Sequence, residues 1–181
     1  MKMAERGQPV LLWGMMGAGK SAVARELQSR TSLRVVDLDE FIQTEQSQSP
    51  SDIITAHGLA VFREIEAAAI RKLLTVGRVD VLSLGGGSLL DPTLRTEVRR
   101  SATVCSLHAD VAILHARVQG DGVNRPLLGT SGDEQKIRLA QLVDERRDAY
   151  LDVDFVIDTS ELAIDEVVTS LLRIVEIREA A

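Results

Sequence analysis

Val10-Leu11-Leu12-Trp13-Gly14-Met15-Met16-Gly17-Ala18-Gly19-Lys20-Ser21 is the stretch on which the reading of this chain turns. Its first four residues are a compact apolar run stopped by Gly14, the pattern of a buried strand. Gly14 to Ser21 matches G-x-x-x-x-G-K-[ST] without a mismatch. Beyond it, from Lys20 to Arg30, the apolar residues Val23, Ala24 and Leu27 recur at helical spacing. In that context glycines let the backbone curl so that successive N–H groups face one anion. The positive end of the following helix adds to the field. Lys20 is expected to reach the β- and γ-phosphates of a nucleotide, and the Ser21 hydroxyl to ligate Mg²⁺. A phosphate cradle names the ligand but not its use.

Outward from this stretch, short apolar runs alternate with helical patterns. Leu33-Arg34-Val35-Val36 reads as a second strand, ending in Asp37-Leu38-Asp39. Val79 to Leu84 reads as a third strand, Ala102 to Leu107 as a fourth and Phe155 to Ile157 as a fifth. Helices are expected over Val61 to Leu74 and from about Ala163 to Glu179. The alternation predicts an α/β fold, a five-stranded parallel sheet with helices on both faces, as one domain over residues 1–181. Two stretches break the rhythm: Gln43 to Gly58 is rich in Ser and Gln, and Gln119 to Asp133 in Gly, Asp and Asn. Such excursions serve as lids or binding segments, or are plain surface loops; composition alone does not choose.

The composition narrows the partners. A formal net charge of -6 leaves no basic footprint for nucleic acid, so any bound anion must be held locally. No apolar run approaches the ~20 residues that span a bilayer, and the polar start lacks a signal-peptide pattern. The single cysteine, Cys105, cannot form an internal disulfide. A cytoplasmic, monomeric protein without nucleic-acid or membrane partners is expected. His57, His108 and His115 lack metal-ligand spacing.

Asp37 and Asp39 lie two apart at the end of a predicted strand, which puts both side chains on one face. Ligands bind at the carboxyl ends of parallel strands. Mg²⁺ near one carboxylate and a substrate hydroxyl near the other would relieve their repulsion. Either could instead cap the next helix. Gly85-Gly86-Gly87 ends the third strand at the same edge, where a ligand could lie on bare backbone, or where the chain simply turns. Arg63 and Glu66, three apart on a helix, read as an exposed ion pair. Arg125, Arg146 and Arg147, taken singly, read as solvated surface.

Together and in this order the pieces resemble the shikimate kinase family. The resemblance rests on Gly14 to Ser21, Asp37-Leu38-Asp39, Phe62-Arg63-Glu64-Ile65-Glu66, Gly85-Gly86-Gly87, Arg125-Pro126-Leu127-Leu128, and Arg146 with Tyr150. It implies a P-loop kinase of the nucleoside-monophosphate-kinase fold, with a substrate-binding segment near residues 40–66 and a lid near 119–133. It further implies transfer of the γ-phosphoryl group of MgATP to the 3-hydroxyl of shikimate. Gly17, Ala18, Gly19, Lys20, Ser21 and Ala22 would bind ATP, with Arg117 against the adenine and Arg125 closing onto the phosphates. Asp39 would hold the reacting hydroxyl, while Arg63 and Arg146 grip the carboxylate and Gly86 and Gly87 meet the substrate. Ser21 would ligate Mg²⁺ directly and Asp37 through water. Lys20, Asp39 and Arg125 would carry catalysis.

The sequence departs from the family pattern at Ala22, usually Thr, at His57-Gly58-Leu59, usually Asp-Gly-Glu, and at Arg147-Asp148-Ala149, usually x-Pro-Leu. A kinase for another polyol acid such as gluconate would keep Lys20, Ser21 and Asp39 without needing both Arg63 and Arg146. A silent relative that binds ATP or a partner protein would not need the full set.

Overall fold

Apolar runs that pair side by side in one direction must be joined by crossovers, and helices supply them. A computed structural model describes residues 7–76, 79–120, 128 and 132–179. Its strands are β1 (Val10–Gly14), β2 (Val35–Asp37), β3 (Val81–Ser83), β4 (Thr103–His108) and β5 (Phe155–Asp158). They form one all-parallel sheet in the order β2-β3-β1-β4-β5. Every residue of β1 is buried, as a central strand covered on both faces requires. The chain steps to one side of β1 for β2 and β3, then crosses it to lay down β4 and β5. That reversal opens a crevice at the carboxyl ends of the strands, where the Gly-rich loop, Asp37 and Gly85 all emerge.

The crossovers are α1 (Lys20–Arg30), α2 (Leu38–Gln46), α3 (Pro50–His57), α4 (Leu59–Val76), α5 (Pro92–Val98), α6 (Val111–Gly120) and α7 (Gly132–Leu151), and α8 (Ile164–Glu179) follows the last strand. The irregular stretch expected over 43–58 is mostly helix. Ser49 and Asp52 form a reciprocal capping box at the start of α3, with Pro50 in its first turn. Only Ile42 and Ile53 between Glu40 and His57 are fully buried, so the apolar period there is too sparse to announce two helices.

Two strands are shorter than the apolar runs suggest. Val79 and Leu84 are buried, yet the β3 ladder spans only Val81–Ser83. β2 begins at Val35 and ends at Asp37, where the chain turns into α2. Most of the lid expected over 119–133 lies outside the described residues. Among the described residues no helix is long and apolar enough to cross a membrane.

Candidate active site

The phosphate loop leads from the buried end of β1 into α1. Gly19 is the residue before the helix, at φ 100° and ψ 4°, and no side chain caps it; the first turn holds no acid. By contrast α2, α3 and α5 are each capped by Asp37, Ser49 or Asp91. A helix start without a capping side chain is the form that receives an anion. Ser21 and Ala22 lie in that first turn, with Ser21 exposed. Lys20 Nζ folds back to donate to the carbonyls of Gly14 at 2.8 Å and Met15 at 3.0 Å. These are neutral acceptors that a phosphate, with its charge, would outcompete.

Asp37 and Asp39 reach the cleft by a different route from the shared strand face expected of them. The strand ends at Asp37, which caps α2: its Oδ1 accepts from the N–H groups of Asp39 at 3.0 Å and Glu40 at 3.5 Å. Oδ2 accepts from Ser83 Oγ at 3.1 Å. Asp39 therefore sits in the first turn of α2, exposed toward the cleft yet crowded from below. Its carboxyl is pushed up to about 6, first by loss of hydration and then by the charges of Asp37 and Glu66; Lys20 and Arg63 pull the other way. The open side is wet and the inner side is not, so exposure and desolvation coexist in this concave floor.

The pairing of Arg63 and Glu66 is not an exposed one. On α4 the buried positions are Phe62, Glu66, Ala69 and Ile70, one helical stripe into which a carboxylate has been set. Glu66 is 1% exposed; it is ion-paired with Arg63 and accepts from Ser88 Oγ at 2.7 Å. A buried carboxylate is tolerable when its lone pairs are filled in this way. The glycines of 85–87 serve this packing as much as any ligand. A Cβ on Gly87 would overlap the Arg63 guanidinium, and one on Gly85 would lie 2.9 Å from Glu66 Oε1 and 3.7 Å from Asp39 Oδ1.

The opposite wall comes from the last turn of α7. Tyr150, 3% exposed, donates its hydroxyl to the Gly86 carbonyl at 2.7 Å and packs edge-on against Trp13, with ring centroids 4.6 Å apart. Burial pushes the phenol up, while the charges of Arg146 and, less so, Arg63 act against it. Arg146 Nη1 lies 3.7 Å from where a Gly86 Cβ would be. Arg63, Gly86, Gly87 and Arg146 are thus brought together, with Asp39 and Lys20 beside them.

Residues 16–176, nearly the whole chain, match the family model described as shikimate kinase. This chain belongs to the shikimate kinase family. A shikimate kinase of Geobacter sulfurreducens is 37% identical over 172 residues, covering 94% of this chain and 92% of that protein. One from Paramagnetospirillum magneticum is 37% identical over 155 residues, covering 86% and 77%. The solved structure of shikimate kinase from Acinetobacter baumannii in complex with shikimate aligns at a TM-score of 0.81 and 28% identity, covering 94% of each chain. As a member of the shikimate kinase family, the chain is an ATP-dependent kinase, and its sheet is that of a P-loop kinase.

Two expected shikimate kinase positions stand apart. Arg125 lies outside the described residues. The Arg117 guanidinium is turned to protein: Nη2 donates to the Thr159 carbonyl at 2.8 Å, and Nη1 to Thr159 Oγ1 at 3.0 Å and to the Gly17 carbonyl at 3.4 Å. Sequence reading missed the supporting roles of Ser83, Ser88 and Thr159, which a lone hydroxyl residue does not announce. Glu66 did leave a signal, a carboxylate on the apolar stripe of a helix.

The donor set fits Mg²⁺. Asp37 and Ser21 offer only oxygen, and one of roughly four acceptor positions on the Asp37 carboxylate stays open after its three hydrogen bonds. Among the described residues no cluster of three His, Cys, Asp or Glu side chains forms a metal cage.

Proposed function

We propose that this protein transfers the γ-phosphoryl group of MgATP to the 3-hydroxyl of shikimate, giving shikimate 3-phosphate and ADP. The observation that carries the reading is one of juxtaposition. Arg63 and Arg146 converge on Gly86 and Gly87, next to a carboxylate at Asp39 and an uncapped phosphate loop. Two guanidinium forks suit a substrate carboxylate. The solved relative in complex with shikimate supports the same acceptor.

In this reading the N–H groups of Gly17, Gly19, Lys20, Ser21 and Ala22 border the phosphates, with Ala18 completing the loop. Lys20 leaves the Gly14 and Met15 carbonyls for the β- and γ-oxygens, where its charge matters most as the phosphoryl group departs. Asp39 accepts the hydrogen bond of the reacting hydroxyl and takes its proton as the new P–O bond forms. The loose transition state asks more for orientation than for basicity, so a carboxylate suffices. Arg63 and Arg146 hold the carboxylate end, fixing which hydroxyl faces Asp39. Arg125, in the lid expected over residues 119–133, would bring a second cation to the phosphates and help shut out water. Ser21 directly, and Asp37 through water, would hold Mg²⁺, which supplies charge neutralisation on the phosphate oxygens.

Product analysis by ³¹P and ¹H NMR tests this reading. One phosphate ester on the 3-hydroxyl is expected. An ester on another hydroxyl would remove Asp39 from its role, and release of inorganic phosphate alone would remove the acceptor.

A further inference from the structure

The phosphate loop contains a peptide that its own sequence leaves free to turn over. Gly19, at φ 100° and ψ 4°, has the third-residue conformation of a type II turn. The type I alternative keeps the same chain path but reverses the peptide between residues 18 and 19, with φ of the third residue near about −90°. Glycine has no Cβ to favour either state. In a trans peptide the C=O and N–H point in opposite directions, so the state chosen decides which way the Gly19 N–H faces. The choice must come from outside the loop.

Thr159 is the group in contact. It is 3% exposed and lies just past β5, where its N–H donates to the His108 carbonyl at 2.8 Å, fixing it to the end of β4. Its hydroxyl reaches the Ala18 carbonyl at 3.2 Å and the His108 carbonyl at 2.8 Å, one proton shared between two acceptors. The same oxygen accepts from Arg117 Nη1, which also reaches the Gly17 carbonyl. Charge-assisted donation from Arg117 polarises the hydroxyl and strengthens what it donates onward. With the Ala18 carbonyl drawn toward Thr159, the Gly19 N–H is turned to the other side.

We infer that Thr159, with Arg117 behind it, is a positioning residue that sets the direction of the Ala18–Gly19 peptide and so aims the Gly19 N–H at the nucleotide's phosphates. This deepens the proposed function and rests on its assignment of the loop to phosphate, but not on the identity of the acceptor. The effect belongs to the phosphate end of the ligand. It is therefore separable from any contact Arg117 makes with adenine.

Titration calorimetry on the full chain with ADP and with tripolyphosphate tests the assignment. Thr159→Val should weaken both ligands by the same factor, about tenfold for one lost hydrogen bond in a charged site. Thr159→Ser, which keeps the hydroxyl, should restore both to within about twofold. Should Thr159→Val not fold, Arg117→Gln carries the same expectation for tripolyphosphate. Loss confined to ADP would place the effect at the base and overturn the inference; so would unchanged binding of both ligands, or failure of Thr159→Ser to restore it. Absence of turnover with shikimate would count against the acceptor assignment alone, because neither titration contains an acceptor.

Discussion

Glu66, buried in the apolar face of α4, is ion-paired to the guanidinium of Arg63, which in turn lies against Gly87. The pair makes a surface-reaching cation rigid from below. Arg63 is left with one face for the cleft and little freedom to lose on binding. Glu66→Gln keeps the shape but weakens this hold. It should raise the KM for the acceptor about tenfold, leave the KM for ATP unchanged and cost ~1–3 kcal/mol in urea unfolding. Steady-state kinetics with each substrate varied in turn checks the split; a parallel rise in both constants would make Glu66 a general structural residue.

Gly87→Ala approaches the same clamp from the other side. The added methyl would occupy the place of the Arg63 guanidinium. Arg63 must then move, and acceptor KM should rise by more than tenfold with ATP binding intact. Kinetics equal to those of the natural protein would show that Arg63 need not stand where the structure has it.

Asp39 ties pH to both activity and stability. Its carboxyl is pushed up to about 6 from an ordinary 3.8, first by loss of hydration and next by Asp37. In its proposed role Asp39 acts in the ionised form, so kcat/KM for the acceptor should fall on an acid limb centred near 6. Asp37→Asn removes a repelling charge and should move that limb to lower pH, whatever it does to the plateau. A pH–rate profile of the two proteins decides it.

The same shift has a stability side of opposite sense. A carboxyl whose folded pKa is raised favours the fold while neutral, below about 4. That contribution is lost as pH rises through about 6. Asp39→Asn is neutral at every pH, so it should be more stable than the natural protein at pH 8, by about 1 kcal/mol once screening at the open cleft is allowed for, and equal to it in acid. Turnover should meanwhile be nearly abolished. Thermal unfolding at two pH values reads the first effect and an ADP assay the second.

Gly58 joins α3 to α4 at φ 86° and ψ 163°, a conformation nearly closed to residues with a Cβ, although nothing lies within 4 Å of where one would sit. Gly58→Ala should cost ~1–3 kcal/mol in urea unfolding without any steric contact. An unchanged midpoint would mean that the joint relaxes freely.

How much of this was legible in the sequence depends on whether local pattern or tertiary contact carried the information. Gly14 to Ser21 announced itself, because a phosphate loop needs its glycines, lysine and hydroxyl in fixed order between a strand and a helix. The sheet was equally plain, since parallel strands are written as apolar runs. α2 and α3 were not, for they bury little beyond Ile42 and Ile53 and are held by polar caps at Asp37 and Ser49. Asp39 was placed on a strand because two carboxylates two apart look alike there; the cap made by the first moves the second onto a helix. The pairing of Arg63 with Glu66 is legible from their spacing but its burial is not, as spacing alone does not tell a buried pair from a wet one. Thr159 gave no sign, because its meaning lies in carbonyls 51 and 141 positions away.

The central claim is acceptor-dependent phosphoryl transfer at this cleft. Its most direct test is ADP production by the purified protein with MgATP, comparing shikimate, gluconate and no acceptor, with Lys20→Ala alongside. Turnover with shikimate alone, lost in Lys20→Ala, is the predicted result. Turnover with gluconate in preference to shikimate, or ADP release indifferent to any acceptor, would contradict the account.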